Sequence, residues 1–264
     1  MSWTSVAQYP AGHRQGGILN DSRTRPLAAL VMVILAVLAL FWMDRSGHAS
    51  RSIASVLPNG APAVHRVDRQ SDIYAIYRSL GVWGAHVVHL NRFLNLVEYY
   101  PKDESVSMPF PVRTADIRPS YEKGIDSHSW LFIANRTGLV RSATIVLPRK
   151  IFDARLEDFR SDFSFTVSDR QVRGWAQDMP FEVTTLEGLS RIAEPVIVNV
   201  DAGYFDDDAD PRTVAEAMRR ACRDVRVLVL CASRDEQEVS QAMRDRLALF
   251  ASAFLSTFPA VTAR

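Results

Sequence analysis

The most constraining feature of this 264-residue chain is the stretch 195–211, which reads PVIVNVDAGYFDDDADP. Its first part, with β-branched residues at 196, 197, 198 and 200, is typical of a strand buried on both faces of a sheet. An acidic segment follows, and Asp210 before Pro211 is typical of a helix N-cap with proline at the first helical position. A strand of this kind that leads directly into a helix predicts an α/β fold, with ligand sites at the strand ends.

The rest of the carboxyl-terminal part alternates between strand and helix patterns. Strands are predicted at 85–90, 142–147 and 225–231, short insert strands at 163–167, 171–175 and 181–184, and helices at 71–80, 126–140, 152–159, 211–222 and 236–258. Segment 102–120 has prolines at 109, 111 and 119 and no clear period, so it is predicted to be a long loop. The alternation favours a mostly parallel sheet with helices on both faces.

An apolar run near the amino end predicts one transmembrane helix before this domain. Residues 27–43, LAALVMVILAVLALFWM, are 17 uncharged apolar residues, at the lower limit of the roughly 17–25 that cross a bilayer. Phe41 and Trp42 lie at its end, as aromatic residues do at membrane interfaces. Arginines at 14, 23 and 25 precede the run, and Asp44, Arg45 and Arg51 follow it. This bias favours an amino end inside the cell.

The anchor divides the chain into four predicted segments. Residues 1–26 form a cytoplasmic tail, 27–43 the transmembrane helix, 44–69 a linker and 70–264 an exported domain. A cleaved signal peptide is disfavoured by the long amino-terminal region and apolar run, and a buried core helix by the lack of a polar face. The expected location is the bacterial inner membrane, with the domain on the periplasmic side.

Net charge and cysteine spacing argue against nucleic-acid binding and against a zinc site. A net charge of +1 gives no basis for nucleic-acid binding. Cys222 and Cys231 are not spaced as zinc ligands. They are expected to be buried thiols, and a disulfide is the alternative, because the exported compartment permits one.

The remaining polar motifs give no complete catalytic set. The acidic residues at 206, 207, 208 and 210 lack the calcium-loop pattern, so helix capping and solvated first-turn acids are favoured. His86 and His89 lie three apart on a strand and therefore face opposite sides of it. A triad of Ser127 or Ser233 with His89 and Asp201 is conceivable, but no spacing supports it. The chain contains no GxSxG, GxGxxG or phosphate-loop motif.

Two motifs at strand ends carry a resemblance to a known superfamily. After the strand that ends near His89, Asn91, Phe93 and Asn95 have the spacing of an Asp-x-His-x-Asp motif. The segment 201–205, DAGYF, takes the place of Asp-x-Asp followed by aromatic residues, and Cys231-Ala232-Ser233 loosely matches a serine-containing loop after the last strand. Over about residues 70–258 the chain resembles the arginase/histone-deacetylase-like superfamily, especially its small bacterial members.

The resemblance implies a parallel sheet between helices, with a metal site at the strand ends. Its ligand positions correspond here to Asn91, Phe93, Asn95, Asp201 and Gly203, a single carboxylate where active members present three carboxylates and a histidine. Hydrolysis in such a site needs a metal that lowers the pKa of bound water from about 15.7 toward 7. Because neutral amides bind such metals poorly and phenyl does not bind them, we expect no metal, no other cofactor and no catalytic residue.

The strand ends are therefore predicted to hold the remnant of a metal site. The candidate pocket residues are His89, Asn91, Asn95, Asp201, Tyr204 and Asp206. The predicted function is a non-catalytic binding or scaffolding module for an unidentified protein or small molecule. The alternative is a deacetylase- or amidohydrolase-like hydrolase that uses Asp201 with the acidic run 206–210 or with His89.

Overall fold

The described residues form eight strands, which make one sheet, and six α-helices, together with a short 3-10 helix at Ala202–Tyr204. The computed structural model describes residues 61–99, 114–162, 165–176, 179–206, 209–256 and 258. The strands are β1 (Ala63–Val67), β2 (Ala85–Leu90), β3 (Val140–Val146), β4 (Thr166–Val167), β5 (Gln171–Ala176), β6 (Met179–Thr184), β7 (Val196–Asp201) and β8 (Val225–Cys231). The helices are α1 (Asp72–Ser79), α2 (Thr114–Glu122), α3 (Trp130–Arg136), α4 (Arg149–Ser161), α5 (Pro211–Ala221) and α6 (Gln241–Leu255).

The sheet is mostly parallel, which confirms the α/β part of the predicted fold class. Its order is β1-β8-β7-β2-β3-β6-β5-β4. In this spatial order, each pair of neighbours from β1 through β8, β7, β2 and β3 to β6 is parallel. The pairs β6–β5 and β5–β4 are antiparallel. The chain leaves β2 toward β3 on one side and leaves β7 toward β8 on the other. The boundary between β2 and β7 is therefore a topological switch point, where open α/β sheets form crevices.

Two hydrophobic cores lie on opposite faces of the sheet. On one face, α1, α3 and α4 contribute apolar side chains, with Trp130 the largest that is fully buried. On the other face, α5 and α6 pack against alternate residues of β2, β7 and β8. All six residues of β7 are buried, because the two faces of this strand pack against the two different cores. The apolar β-branched run in the sequence is explained by this double burial.

Local sequence signals set the start of α5. Asp210 is its N-cap, and the carboxylate accepts hydrogen bonds from Thr213 N at 2.9 Å and Thr213 Oγ1 at 2.6 Å. Pro211 occupies the first turn, where a missing N–H is tolerated. The predicted N-cap and helix start are confirmed.

Two predicted boundaries are wrong. The segment 44–69, predicted to be a linker, contains β1, which pairs with β8 at the edge of the sheet. The sequence of β1, AVHRV, is short and includes polar and charged residues, and none of its residues is fully buried. The apolar signal of this strand is therefore weak. The loop predicted at 102–120 overlaps α2, a helix that contains Pro119. Residues 101–113 lie outside the described residues.

Two predicted helices are shorter than expected. The helix predicted at 126–140 begins at Trp130, because the Asp126 carboxylate accepts hydrogen bonds from the backbone N–H of His128 and of Ser129, both at 2.8 Å, and holds this segment in a turn. The closing helix predicted at 236–258 begins only after its N-cap, Ser240. A polar side chain that accepts backbone N–H groups therefore precedes each start, Asp126 in a turn before the first helix and Ser240 as the N-cap of the second.

The predicted anchor and the cysteines have separate outcomes. Segment 27–43 lies outside the described residues, and of the helices described none has the length and apolar character needed to span a membrane. Cys222 and Cys231 are buried free thiols. They belong to the two different cores, on opposite faces of the sheet, which explains why they are not joined.

Candidate functional site

A buried group of polar side chains lies at the switch point, where β2, β7 and β8 end. Asn91 follows β2, Asp201 ends β7 and Ser233 follows β8. Because these strands are parallel neighbours, their carboxyl ends meet at one edge of the sheet. We call this group the carboxyl-edge cluster. Each member is at most 2% exposed, and the members are Gln70, His89, Asn91, Asn95, Asp201 and Ser233.

Asp201 is the carboxylate of the cluster. Its Oδ1 accepts a hydrogen bond from the backbone N–H of Gly203 at 2.6 Å, and its Oδ2 accepts one from the Ser233 hydroxyl. Burial raises the pKa of Asp201 to about 6, although the hydrogen bonds from Ser233 and Gly203 act in the opposite direction. The energetic cost of a buried charge therefore exceeds the stabilisation by these bonds.

Three amides form the other half of the cluster. Asn91 Nδ2 donates to Asn95 Oδ1 at 2.5 Å and to Gln70 Oε1 at 3.0 Å. Asn95 Nδ2 donates to Gln70 Oε1 at 2.6 Å and also to the carbonyl oxygen of Ser127. Asn91 Oδ1 accepts the backbone N–H of Arg92 at 2.7 Å. The oxygens of these amides are thus directed at donors within the cluster and its loop.

His89 joins the amides from inside the sheet. Its Nε2 lies 2.9 Å from Asn95 Oδ1 and 3.2 Å from Asn91 Nδ2, and because the shorter contact is with an acceptor, the neutral Nε2–H tautomer fits. Burial lowers the pKa of His89 to about 4. Its ring meets Trp130 edge to face at 5.3 Å, and its Nδ1 has no hydrogen-bond partner among the described residues. His89 is therefore a neutral hydrogen-bond donor to the amides near pH 7.

Gln70 connects the amides with the acidic half. Its Nε2 donates to Glu236 Oε1 at 2.7 Å and lies 3.4 Å from Ser233 Oγ. Burial raises the pKa of Glu236 to about 7, and the charges of Asp201 and Asp235 raise it further, whereas Arg92 lowers it. One side chain from the β1–α1 connection thereby links both halves of the cluster.

The backbone is also unusual here. Among the described residues other than glycine, positive φ angles occur at Asn95 (57°) and Ser233 (42°). Both residues belong to the cluster. Such conformations are disfavoured for side chains with a Cβ and persist where surrounding contacts enforce them, often at functional sites.

The structure brings together four of the six predicted pocket residues. His89, Asn91, Asn95 and Asp201 lie in the cluster, whereas Tyr204 and Asp206 line a separate cavity of about 230 Å³. That cavity also contains Arg149 and Lys150 at the start of α4, and the β6–β7 connection. Tyr204 is turned away because it packs in the core beneath α5 and α6.

Gln70 and Glu236 are the cluster contacts that the sequence did not reveal. Gln70 follows β1, which lacked a strong strand pattern, and Glu236 lies in the segment predicted to be the start of the closing helix. Ser233 was visible as a loose match to a serine-containing loop and as one candidate for a triad that no spacing supported. Neither glutamine nor glutamate had a spacing that indicates a site, so no sequence signal identified them.

The side chains present do not fit the metal that the resemblance implies. Among the residues that the structure describes, no three His, Cys, Asp or Glu side chains are placed to hold one metal ion. Phe93 packs edge to face on His128 at 5.6 Å. A Cβ at Gly203 would lie 2.9 Å from Asp201 Oδ1 and 3.2 Å from Arg92 Cδ, so a second carboxylate there would require Arg92 to move.

No protein-family model matches this chain, and no curated protein matches it. The resemblance to the arginase/histone-deacetylase-like superfamily stays a prediction that depends on the motif residues, whereas the mostly parallel α/β sheet is established by the strand pairing.

Proposed function

We propose that this chain is a membrane-anchored, non-catalytic binding or scaffolding module on an arginase/deacetylase-like domain. The observation that supports the proposal is the hydrogen bonding of the carboxyl-edge cluster. Its amides donate to and accept from one another, so they are not free to coordinate a ligand ion. The domain would keep the inherited pocket architecture without the metal chemistry.

The donor set supports this reading. Asp201 is the single carboxylate among the six members of the cluster, and both of its oxygens already accept hydrogen bonds. The neighbouring Glu236 carboxylate accepts the Gln70 amide. Amide oxygens are weak ligands for the transition metals that activate water. Arg92 lies over Gly203 and pairs with Glu238 at 3.0 Å, which covers the position where a second carboxylate would project. A hydrolytic metal would therefore lack most of its ligands.

The anchor belongs to the same proposal. Residues 27–43 would cross the inner membrane with residues 1–26 in the cytoplasm, and the α/β domain would lie in the periplasm. The apolar run and the arginine bias support this orientation. The net charge of +1 favours a protein or small-molecule ligand over nucleic acid.

Metal analysis of the purified full chain in detergent tests the proposal. We expect less than about 0.1 equivalent of Zn, Mn, Fe or Ca, and a melting temperature that excess chelator leaves unchanged, because a lost ligand that binds only the native state would lower stability. The variant Asp201→Asn should behave in the same way. Stoichiometric metal that chelator removes, with a lower melting temperature, would overturn the proposal.

A hydrolase is the second candidate, and one observation favours it. Ser233 has a φ of 42° and its hydroxyl donates to the Asp201 carboxylate, and strained backbone is common at reactive side chains. The imidazole of His89 is bonded to Asn95, so Asp201 is the base that contacts Ser233. Labelling of the full chain by a fluorophosphonate probe, abolished in Ser233→Ala, would support the hydrolase, and absence of labelling would exclude a serine nucleophile accessible to the probe.

A further inference from the structure

The sheet face opposite the carboxyl-edge cluster carries an ordered row of polar side chains. Strand register places Thr144 of β3 beside Glu182 of β6, Glu182 beside Arg173 of β5, and Arg173 beside Thr166 of β4. Directly opposite residues in a sheet point to the same face. These four side chains therefore form one line across four strands, where a covered face would carry apolar residues.

An open cavity of about 440 Å³ lies over this row. The described helices contribute no residue to its lining, which comes from strands β2 to β6. A second cavity of about 420 Å³ shares His86, Thr144 and Glu182 with it and continues along segment 189–194. We call the two cavities together the polar trough. Each has a volume within the range of small-molecule sites, roughly 300–1,000 Å³.

The charges in the trough are balanced. The charged side chains that line it are Arg173, Glu182, Arg191 and Glu194, two of each sign. Arg173 Nε lies 3.4 Å from Glu182 Oε2, and Glu194 also pairs with Arg141, which lies outside the lining. His86 contacts Ser142 Oγ at 2.7 Å and Thr144 Oγ1 at 3.2 Å. Burial lowers the pKa of His86, although Glu194 acts in the opposite direction. The trough therefore offers many donors and acceptors and little net charge.

Trp175 lines the larger cavity of the trough, and its side chain is open to solvent. It is 63% exposed, whereas Trp130 is fully buried. Its cross-strand neighbour is Pro180, and both line the larger cavity. A flat aromatic ring beside polar groups gives a ligand an apolar surface on one side and hydrogen bonds at the rim.

We propose that the polar trough binds a neutral saccharide. A sugar ring has C–H faces that stack on an indole, and hydroxyl groups that both donate and accept hydrogen bonds. The paired Arg173 and Glu182 suit such hydroxyls, and so do the hydroxyls of Ser142 and Thr144. An inorganic anion would need an excess of positive charge, and an apolar ligand would leave these polar groups unpaired.

This site is independent of the proposed function. The trough lies on one face of the sheet, and the carboxyl-edge cluster faces the other. His86 and His89 mark the two sides of β2, since the first contacts Ser142 and the second contacts Trp130. A metal found at the cluster would overturn the proposed function and leave the saccharide site untouched.

Binding measurements on the full chain test the inference. The protein is held in a detergent without a sugar headgroup, and maltotriose, cellotriose and chitotriose are the probes, followed by saturation-transfer NMR and tryptophan emission. We expect at least one probe to bind with Kd of about 1 mM or tighter, and Trp175→Ala to weaken it by about tenfold or more. Trp175→Phe should retain most of the affinity, because it keeps an aromatic face.

Two controls make the outcome decisive. Leu249→Ala removes another exposed apolar side chain, on α6, and should leave the affinity unchanged. An unchanged melting temperature in Trp175→Ala would show that the fold is intact, as surface substitutions shift stability by about 0.5 kcal/mol or less. The inference is wrong if no probe binds below about 10 mM, if Trp175→Ala binds like the native chain, or if inorganic phosphate competes for the site.

Discussion

At the scale of single residues, Asp201 couples the carboxyl-edge cluster to pH. Its folded-state pKa of about 6 lies above the ordinary value of about 3.9. The native state therefore binds this proton more tightly than the unfolded state. The resulting stabilisation is fully present below the unfolded pKa and is lost as pH rises through about 6.

The variant Asp201→Asn should remove this dependence. The amide stays neutral, so relative to the native chain the variant should gain on the order of 2–3 kcal/mol in unfolding free energy between pH 4 and pH 7.5. Urea unfolding of both proteins at the two pH values measures the difference. His89, whose pKa is lowered to about 4, acts in the opposite direction but is common to both proteins and cancels.

An exposed carboxylate provides the control for this measurement. Asp158 lies on the open side of α4, and Asp158→Asn should leave the pH dependence of the native chain in place. An Asp201→Asn variant whose stability relative to the native chain is the same at both pH values would show that Asp201 is not the group that titrates.

Asn95 combines a backbone role with a side-chain role, and two substitutions separate them. Asn95→Ala removes the side-chain amide that hydrogen-bonds to Gln70, His89 and Asn91. It should lower the free energy of unfolding by about 2–4 kcal/mol. Asn95→Gly loses the same contacts but relieves the backbone at φ 57°, so it should be less destabilising by about 1 kcal/mol. Chemical denaturation of both variants gives the order.

Asn135 is the matched control because it occupies an ordinary helical position in α3. Its Nδ2 donates to Val140 O at 2.9 Å, so both substitutions lose one hydrogen bond. There Gly should be worse than Ala by about 1 kcal/mol. The same order at both positions would mean that the positive φ of Asn95 stores no strain.

At the scale of elements, local signals predicted the centre of the fold. The strand β7 was visible because residues buried on both faces are continuously apolar, and α5 because its cap is adjacent in sequence. The strand β8 was found for the same reason as β7. These signals lie within one element, so no knowledge of the partners was needed.

The elements that were missed depend on distant partners. The strand β1 carries His65 and Arg66 and gains its stability from pairing with β8, which lies near the other end of the chain. The helix α2 contains Pro119, a residue that normally argues against a helix interior. Tertiary context overrode the local pattern in both cases.

At the scale of the whole molecule, part of the candidate site followed from the sequence. Asn91 and Asp201 could be placed together because parallel strands end at one edge, and the register that makes them neighbours pairs β2 with β7. Gln70 reaches the same point only because β1 lies on the far side of β8. Strand order is a global property, so Gln70 could not be assigned from its own surroundings in the chain.

The orientation of the chain in the membrane gives the last prediction. If residues 27–43 cross the bilayer with the amino end inside, a reporter fused after Arg264 that works only in an oxidising, extracytoplasmic compartment should be active. The reason is the arginine excess before the apolar run. Exchanging Arg23 and Arg25 for glutamate should lower this activity at equal expression, because the positive flank would be lost.

A fusion without residues 27–43 is the control and should be inactive, because the chain would then lack the segment that directs export. A reporter that functions only in the cytoplasm should give the reverse pattern. Activity of the cytoplasmic reporter after Arg264 in the full chain would contradict the orientation.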